Sequence, residues 1–139
     1  MSDARQVLTD KMHRYCHLFD AGRFDEFAAQ FAHGRWHRAE PGEANTRQWI
    51  EDWVLTYDGS PRTQHCTTNL IVEVDETAGR ASASSYVTVM QAVEGFPLQA
   101  VFCGRYLDTF ELIDGEWVWR ERAVESLLRG DTSHHVRSR

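Results

Sequence analysis

His65, Thr67 and Asn69 stand at alternate positions of the run His65-Cys66-Thr67-Thr68-Asn69-Leu70-Ile71-Val72-Glu73-Val74. The run reads as a β-strand, whose successive side chains face opposite ways, so a regular strand puts these three on one face. An imidazole, a hydroxyl and an amide together suit a polar patch inside a cavity. They also suit the wet face of a surface strand. Asp20 tips the reading towards a cavity. It falls in the last turn of a predicted helix, just before Gly22. A helix carboxyl end carries partial negative charge, so a carboxylate there is disfavoured by a few tenths to about 1 kcal/mol. Either it caps the next helix or it has a partner elsewhere. Paired with His65 it would form a dyad. The carboxylate would hold one tautomer and stabilise the imidazolium, and the free ring nitrogen would remove a substrate proton. Asp20 and His65 are the catalytic candidates.

Other side chains could hold a substrate. Tyr15, five residues before Asp20, either projects into the same cavity or is a core tyrosine with its hydroxyl satisfied. Asn69 could fix a substrate oxygen or bond the backbone. Arg122, in Arg120-Glu121-Arg122, would stabilise an anion if it points inward, or else form a salt bridge. Asp108 alternates with Tyr106 and Phe110 and is either the partner of an arginine or a second acid. Trp36, Trp49, Trp53 and Trp119 read first as core. Trp36 and Tyr106 join Tyr15, Asn69, Arg122 and Asp108 in the candidate substrate-binding set. Cys66 alternates away from His65, which argues against a Cys–His nucleophile, and no serine stands where acyl transfer would need it.

The elements that must position these groups follow from periodicity. Val7, Leu8, Met12, Tyr15, Leu18 and Phe19 recur at helical spacing and predict a helix from about Asp3 to Ala21, ended by Gly22. A short helix follows at 24–31, then a strand at Arg35-Trp36-His37 and a turn at Glu40-Pro41-Gly42. A third helix is expected to be capped by Asn45 or Thr46, with Trp49, Ile50, Trp53, Val54 and Tyr57 as its stripe. Beyond Gly59-Ser60-Pro61 the period switches to strands at 62–75, 80–93, 98–112 and 116–127. Asp114-Gly115 marks a tight hairpin. Helices followed by hairpin-linked strands predict an α+β fold: a mostly antiparallel sheet, curled and bulged, closed by three N-terminal helices. The concave face of such a sheet is a natural small-molecule pocket.

The chain has 139 residues and a net charge of −6, which suits a single domain, 1–139, with a polar, solvated tail over about 132–139. Lys and Arg form no run that could track a phosphate backbone, which argues against nucleic-acid binding. No apolar run approaches the ~20 residues of a membrane span, and no signal-peptide pattern opens the sequence. Cys16, Cys66 and Cys103 lack metal-type spacing and read as reduced thiols of a cytoplasmic protein. His134 and His135 with Asp131 could take up a metal adventitiously, but no zinc-spaced cluster is present. Neither a metal nor an organic cofactor is expected. Apolar residues on both faces of the long strands, such as Val87 and Val89 beside Tyr86 and Met90, point to a homo-oligomer.

Tyr15-Cys16-x-x-x-Asp20, His65-x-x-Thr68-Asn69, Gly104-Arg105-Tyr106-x-Asp108-x-Phe110 and Asp114-Gly115-x-Trp117 together resemble the SnoaL-like branch of the nuclear transport factor 2-like superfamily. The resemblance runs from the first helix to about Gly130-Asp131. It implies a conical α+β barrel with a deep pocket, like those of scytalone dehydratase, lindane dehydrochlorinase, polyketide cyclases and ketosteroid isomerase. The His–Asp dyad of the dehydrochlorinase carries over onto His65 and Asp20, and its arginine onto Arg122. Its catalytic lysine falls at Tyr15, and a phenol suits an oxygen better than a chloride. The resemblance therefore implies a cofactor-independent lyase or isomerase that dehydrates, enolises or cyclises a small oxygenated ring. It also favours a trimer over a dimer. The alternative is a non-catalytic binding or structural protein akin to the β subunits of ring-hydroxylating dioxygenases.

Overall fold

The computed structural model describes residues 3–138. Helix α1 spans Ala4–Asp20, with Asp3 as its cap accepting from the Arg5 N–H at 2.9 Å. Its inward stripe is Leu8, Met12, Tyr15, Cys16, Leu18 and Phe19, while Val7 is over a third exposed. Gly22, at φ +74°, ends the run. A Cβ there would lie 1.9 Å from the Gly59 carbonyl, so glycine also allows two loops to meet closely. Helix α2 (Phe24–Ala29) is shorter than expected, and Phe31 is buried just beyond it. Asp20 does not cap this helix, whose N-cap position is Arg23.

Strand β1 is only Arg35–Trp36. Helix α3 spans Glu43–Trp53 and starts two or three residues before the expected caps. Gly42, at φ +107°, holds the N-cap position, while the Asn45 and Thr46 side chains donate back to the Pro41 and Gly42 carbonyls. Strands β2 (Thr63–Asp75), β3 (Arg80–Val93), β4 (Phe96–Ile113) and β5 (Glu116–Arg129) follow. The turn between β4 and β5 has positive φ at both Asp114 and Gly115, the signature that lets strand twist continue through a two-residue loop.

The sheet runs β1-β5-β4-β3-β2, with β1 parallel to β5 and every other pairing antiparallel. It is curved but does not close, so the expected barrel is an open cone. Register shifts bend it within each long hairpin. On β3, Ala81, Ala83, Ser85, Val87, Val89 and Gln91 alternate inward, and the apolar ones join the core cluster with residues of α1, α2 and β1. Phe27, Phe31, Phe110 and Trp119 are fully buried. Each contributes on the order of 2–3 kcal/mol by leaving water. No helix of the described residues is long and apolar enough to cross a membrane.

Candidate active site

Edge strand β2 and the end of α1 meet at one carboxylate. The Asp20 Oδ2 accepts the backbone N–H of His65 at 2.7 Å. Its Oδ1 accepts the Thr63 hydroxyl at 2.7 Å and faces the His65 Nδ1 at 2.6 Å. Three donors from β2 thus compensate the helix-end position that makes Asp20 locally unfavourable. Burial pushes the Asp20 carboxyl up. The hydrogen bonds from His65 and Thr63, with the charge of His65, outweigh it and leave the group below its ordinary value. With Nδ1 engaged, the Nε2 of His65 is the nitrogen left for a ligand.

His65 opens onto a cavity of about 730 Å³. Tyr15 and Phe19 of α1, Trp49 and Trp53 of α3, and Tyr106 of β4 also line it. A hydrogen-bonded chain of rings forms one wall. The Trp36 indole N–H donates to the Tyr15 hydroxyl oxygen at 2.9 Å, and Tyr106 packs edge-on to Tyr15 at 5.6 Å. Burial raises the Tyr15 phenol, opposed by the charge of Arg122 and by hydrogen bonds from Tyr106 and Trp36. Burial likewise raises Tyr106 well above the ordinary phenol value. Both remain neutral phenols at physiological pH, able to bind an oxygen.

Three expected contacts are not made. Asn69 is exposed and lies outside the cavity lining. It sits at φ +54° in a bulge between Thr68 and Ile71. Before the bulge the odd-numbered side chains face inward, with His65 opposite Val89 and Thr67 opposite Val87. After it the even-numbered ones do, with Val72 opposite Ala83. The extra residue reverses the alternation. Thr67 does face inward, but its hydroxyl meets the Cys16 thiol at 3.4 Å.

Arg122 and Asp108 also stop short of the cavity lining. They form a bidentate pair at 2.7 and 2.9 Å, with both side chains fully buried. The Trp119 indole donates to the same Asp108 oxygen at 3.0 Å. The guanidinium lies over the Tyr106 ring at 3.7 Å and the Tyr15 ring at 4.3 Å. Burial alone would lower the Arg122 pKa, but Asp108 overrides it and keeps the group charged. This cation is therefore neutralised behind the tyrosines.

The chain end is not a solvated tail. Residues 131–133 and 135–138 line the cavity, His135 and Arg137 among them. His134 instead stacks on Phe96 at 4.2 Å, so the two histidines do not form a joint metal site. Arg139 lies outside the described residues. Sequence reading missed His135 and Thr63. A single apolar residue, Val136, in a polar stretch was the only hint that the chain end packs.

Helices folded against a curved, mostly antiparallel sheet around a cavity define an α+β class with a pocket on its concave face. The chain belongs to the SnoaL-like domain family, whose model matches residues 1–123. A Novosphingobium aromaticivorans protein described as nuclear transport factor 2-like with a cystatin-like fold aligns with TM-score 0.73 and 18% identity, over 94% of this chain and 85% of that one. A second protein from that organism, provisionally named a scytalone dehydratase, aligns with TM-score 0.72 and 20% identity, over 91% and 86%. ActVI-ORFA from Streptomyces coelicolor aligns with TM-score 0.69 and 16% identity, over 88% and 93%. At these identities the likeness speaks for the fold. Comparison with curated proteins produced no match.

Proposed function

We propose that this protein is a cofactor-independent lyase or isomerase that removes an activated proton from a small oxygenated cyclic or polyketide-type substrate, causing dehydration, enolisation or cyclisation. The observation that carries the reading is the 2.6 Å contact of His65 Nδ1 with Asp20, made on the wall of a 730 Å³ cavity. The imidazole Nε2 takes the proton. Asp20 then stabilises the imidazolium without taking the proton itself. Tyr15, which accepts from Trp36 and Tyr106 and keeps its own O–H to donate, holds a substrate oxygen, while the aromatic rings of Trp36 and Trp49 suit a flat ring. Arg122 acts only through the two phenols, since Asp108 cancels most of its field. The SnoaL-like family membership and the dehydratase-named neighbour agree with such chemistry.

The test is solvent-deuterium exchange into the carbon next to the carbonyl of 1-tetralone and its hydroxylated derivatives, read by mass spectrometry. Catalysed exchange that is lost in His65→Ala supports the reading. Exchange at the uncatalysed rate, with 2-naphthol failing to bind, refutes it. We further propose a homo-oligomer, trimer before dimer, because Tyr86, Leu107 and Leu127 are over two-fifths exposed on the convex face. A monomeric mass by light scattering at micromolar concentration would refute that.

A further inference from the structure

His135 enters the cavity on a strap whose backbone is held on both sides. The Leu55 N–H donates to the His135 carbonyl at 3.0 Å, and the Arg137 N–H to the Trp53 carbonyl at 2.9 Å. The His134 carbonyl accepts from the Tyr57 hydroxyl at 2.7 Å and from the Gln91 amide at 3.0 Å. Gln91 is itself buried and also donates to the Pro61 carbonyl. With the carbonyls of residues 134 and 135 both engaged, the His135 ring is turned inward. It stands edge-on to Phe19 at 6.1 Å and to His65 at 6.2 Å between ring centres. Its Nδ1 is sealed from solvent and has no hydrogen-bond partner. Buried polar atoms in folded proteins are overwhelmingly partnered, and an exception beside a cavity calls for an explanation, a catalytic role among them. An apolar residue would have closed the strap without that cost.

We propose that His135 is a second catalytic residue, a neutral imidazole whose ring N–H, presented to the cavity by a turn about the Cβ–Cγ bond, donates a hydrogen bond to the substrate oxygen that becomes negative when His65 removes the proton. The inference rests on the proton-abstraction reading above. The Nε2 of His65 takes the proton from the carbon next to a carbonyl. The C–H electron pair becomes the new C=C bond, and the carbonyl π pair moves onto oxygen. That enolate oxygen is held by His135, and no proton moves at His135. The cycle closes when the His65 imidazolium returns its proton. The acceptor is a different carbon in isomerisation, or a departing β-hydroxyl that leaves as water.

The reacting carbon and the carbonyl oxygen lie two bonds apart, so one substrate unit can touch both rings. Burial, and next the charge of His65, hold the His135 pKa down to about 4, with Asp20 pulling the other way. Two imidazoles share one cavity, and their surroundings divide the work. The one beside the carboxylate accepts a proton, and the one on the strap stays neutral and polarises the oxygen.

Binding of 2-naphthol, whose ring oxygen mimics an enolate, tests this with the full chain, as does turnover on whichever tetralone exchanges. The expected result for His135→Ala is naphthol affinity at least ten-fold weaker and kcat ten- to a hundred-fold lower, with KM changed less than about three-fold. His135→Gln, which keeps an amide donor, should recover part of the loss. His135→Phe, which keeps the strap packed but removes the donor, should lose as much as His135→Ala. Full turnover in His135→Ala on a substrate that His65→Ala abolishes would overturn the inference and leave His65 as base. Retained turnover in His135→Phe would also overturn it, since strap closure would then be the cause of the loss in His135→Ala. Unchanged turnover in His65→Ala would instead overturn the reading beneath it.

Discussion

Two carboxylates in this small domain each meet a cationic or potentially cationic partner, and their surroundings assign them opposite roles. Asp108 is fully buried, as is Arg122. Their paired bonds, with the Trp119 indole, take up the Asp108 oxygens. Asp20 meets His65 where their side chains are 18% and 8% exposed, beside open volume. The first pair has no room for a ligand. The second leaves a ring nitrogen facing one. A buried pair is costly to break because the surviving charge cannot be solvated. An imidazole beside a cavity can change protonation state, which a sealed guanidinium cannot. Access, more than residue type, separates a structural pair from a chemical one.

The largest effect should come from the sealed pair. Asp108→Ala strands the Arg122 cation and is expected to cost about 3–5 kcal/mol. By thermal melting this corresponds to a drop of roughly 10–20 °C for a chain of this size. A loss under about 1 kcal/mol would break the contrast. Replacing both partners, Asp108→Leu with Arg122→Met, should recover most of the loss.

His65→Ala should invert that pattern. Turnover on an exchanging ketone is expected to fall about a hundred-fold or more. Stability should change by under about 1 kcal/mol, because Thr63 and the residue-65 backbone N–H still satisfy Asp20. A folded variant with unchanged turnover would strip the dyad of its chemical role.

Acid should strain the cavity side first. The His135 pKa is lowered to about 4, so the unfolded chain binds the extra proton more readily. Its contribution is complete above about pH 6.5, the unfolded value, and is lost as pH falls towards 4. It amounts to at most about 3 kcal/mol, reduced where water reaches the strap. The ring is faced by His65 of β2, by Asp20 and Phe19 of α1, and is flanked by His134 on the strap. Asp20, whose pKa is also lowered, adds stability that is present above its unfolded value near pH 4 and lost below it. Urea midpoints measured between pH 7 and 4 should fall in wild type and stay flatter in His135→Phe. Parallel curves would show that another group dominates.

The smallest effect is expected at Asn69. Asn69→Ala should leave turnover unchanged and cost roughly 1 kcal/mol, the strain of placing alanine at positive φ. Asn69→Gly should be neutral. A ten-fold loss of turnover in either variant would return Asn69 to the cavity.

The sequence by itself determined the order and type of the elements, because apolar period, glycine stops and the Asp114-Gly115 turn are local signals. It also singled out Asp20 and His65, one by its electrostatic misfit at a helix end and the other by its place at the polar start of a strand. Only the tertiary structure decided the rest. The bulge that turns Asn69 outward depends on how β2 registers against β3, and no residue of β2 alone announces it. Arg122 and Asp108 could be read as site or as core until the sheet placed them opposite each other beneath the tyrosines. The strap was illegible because it is held by backbone bonds to Trp53 and Leu55 and by Gln91 and Tyr57, residues about 40 to 80 positions away in the chain. Long-range contacts of that kind leave no periodicity behind, so a histidine in a polar stretch reads as solvated until the fold closes over it.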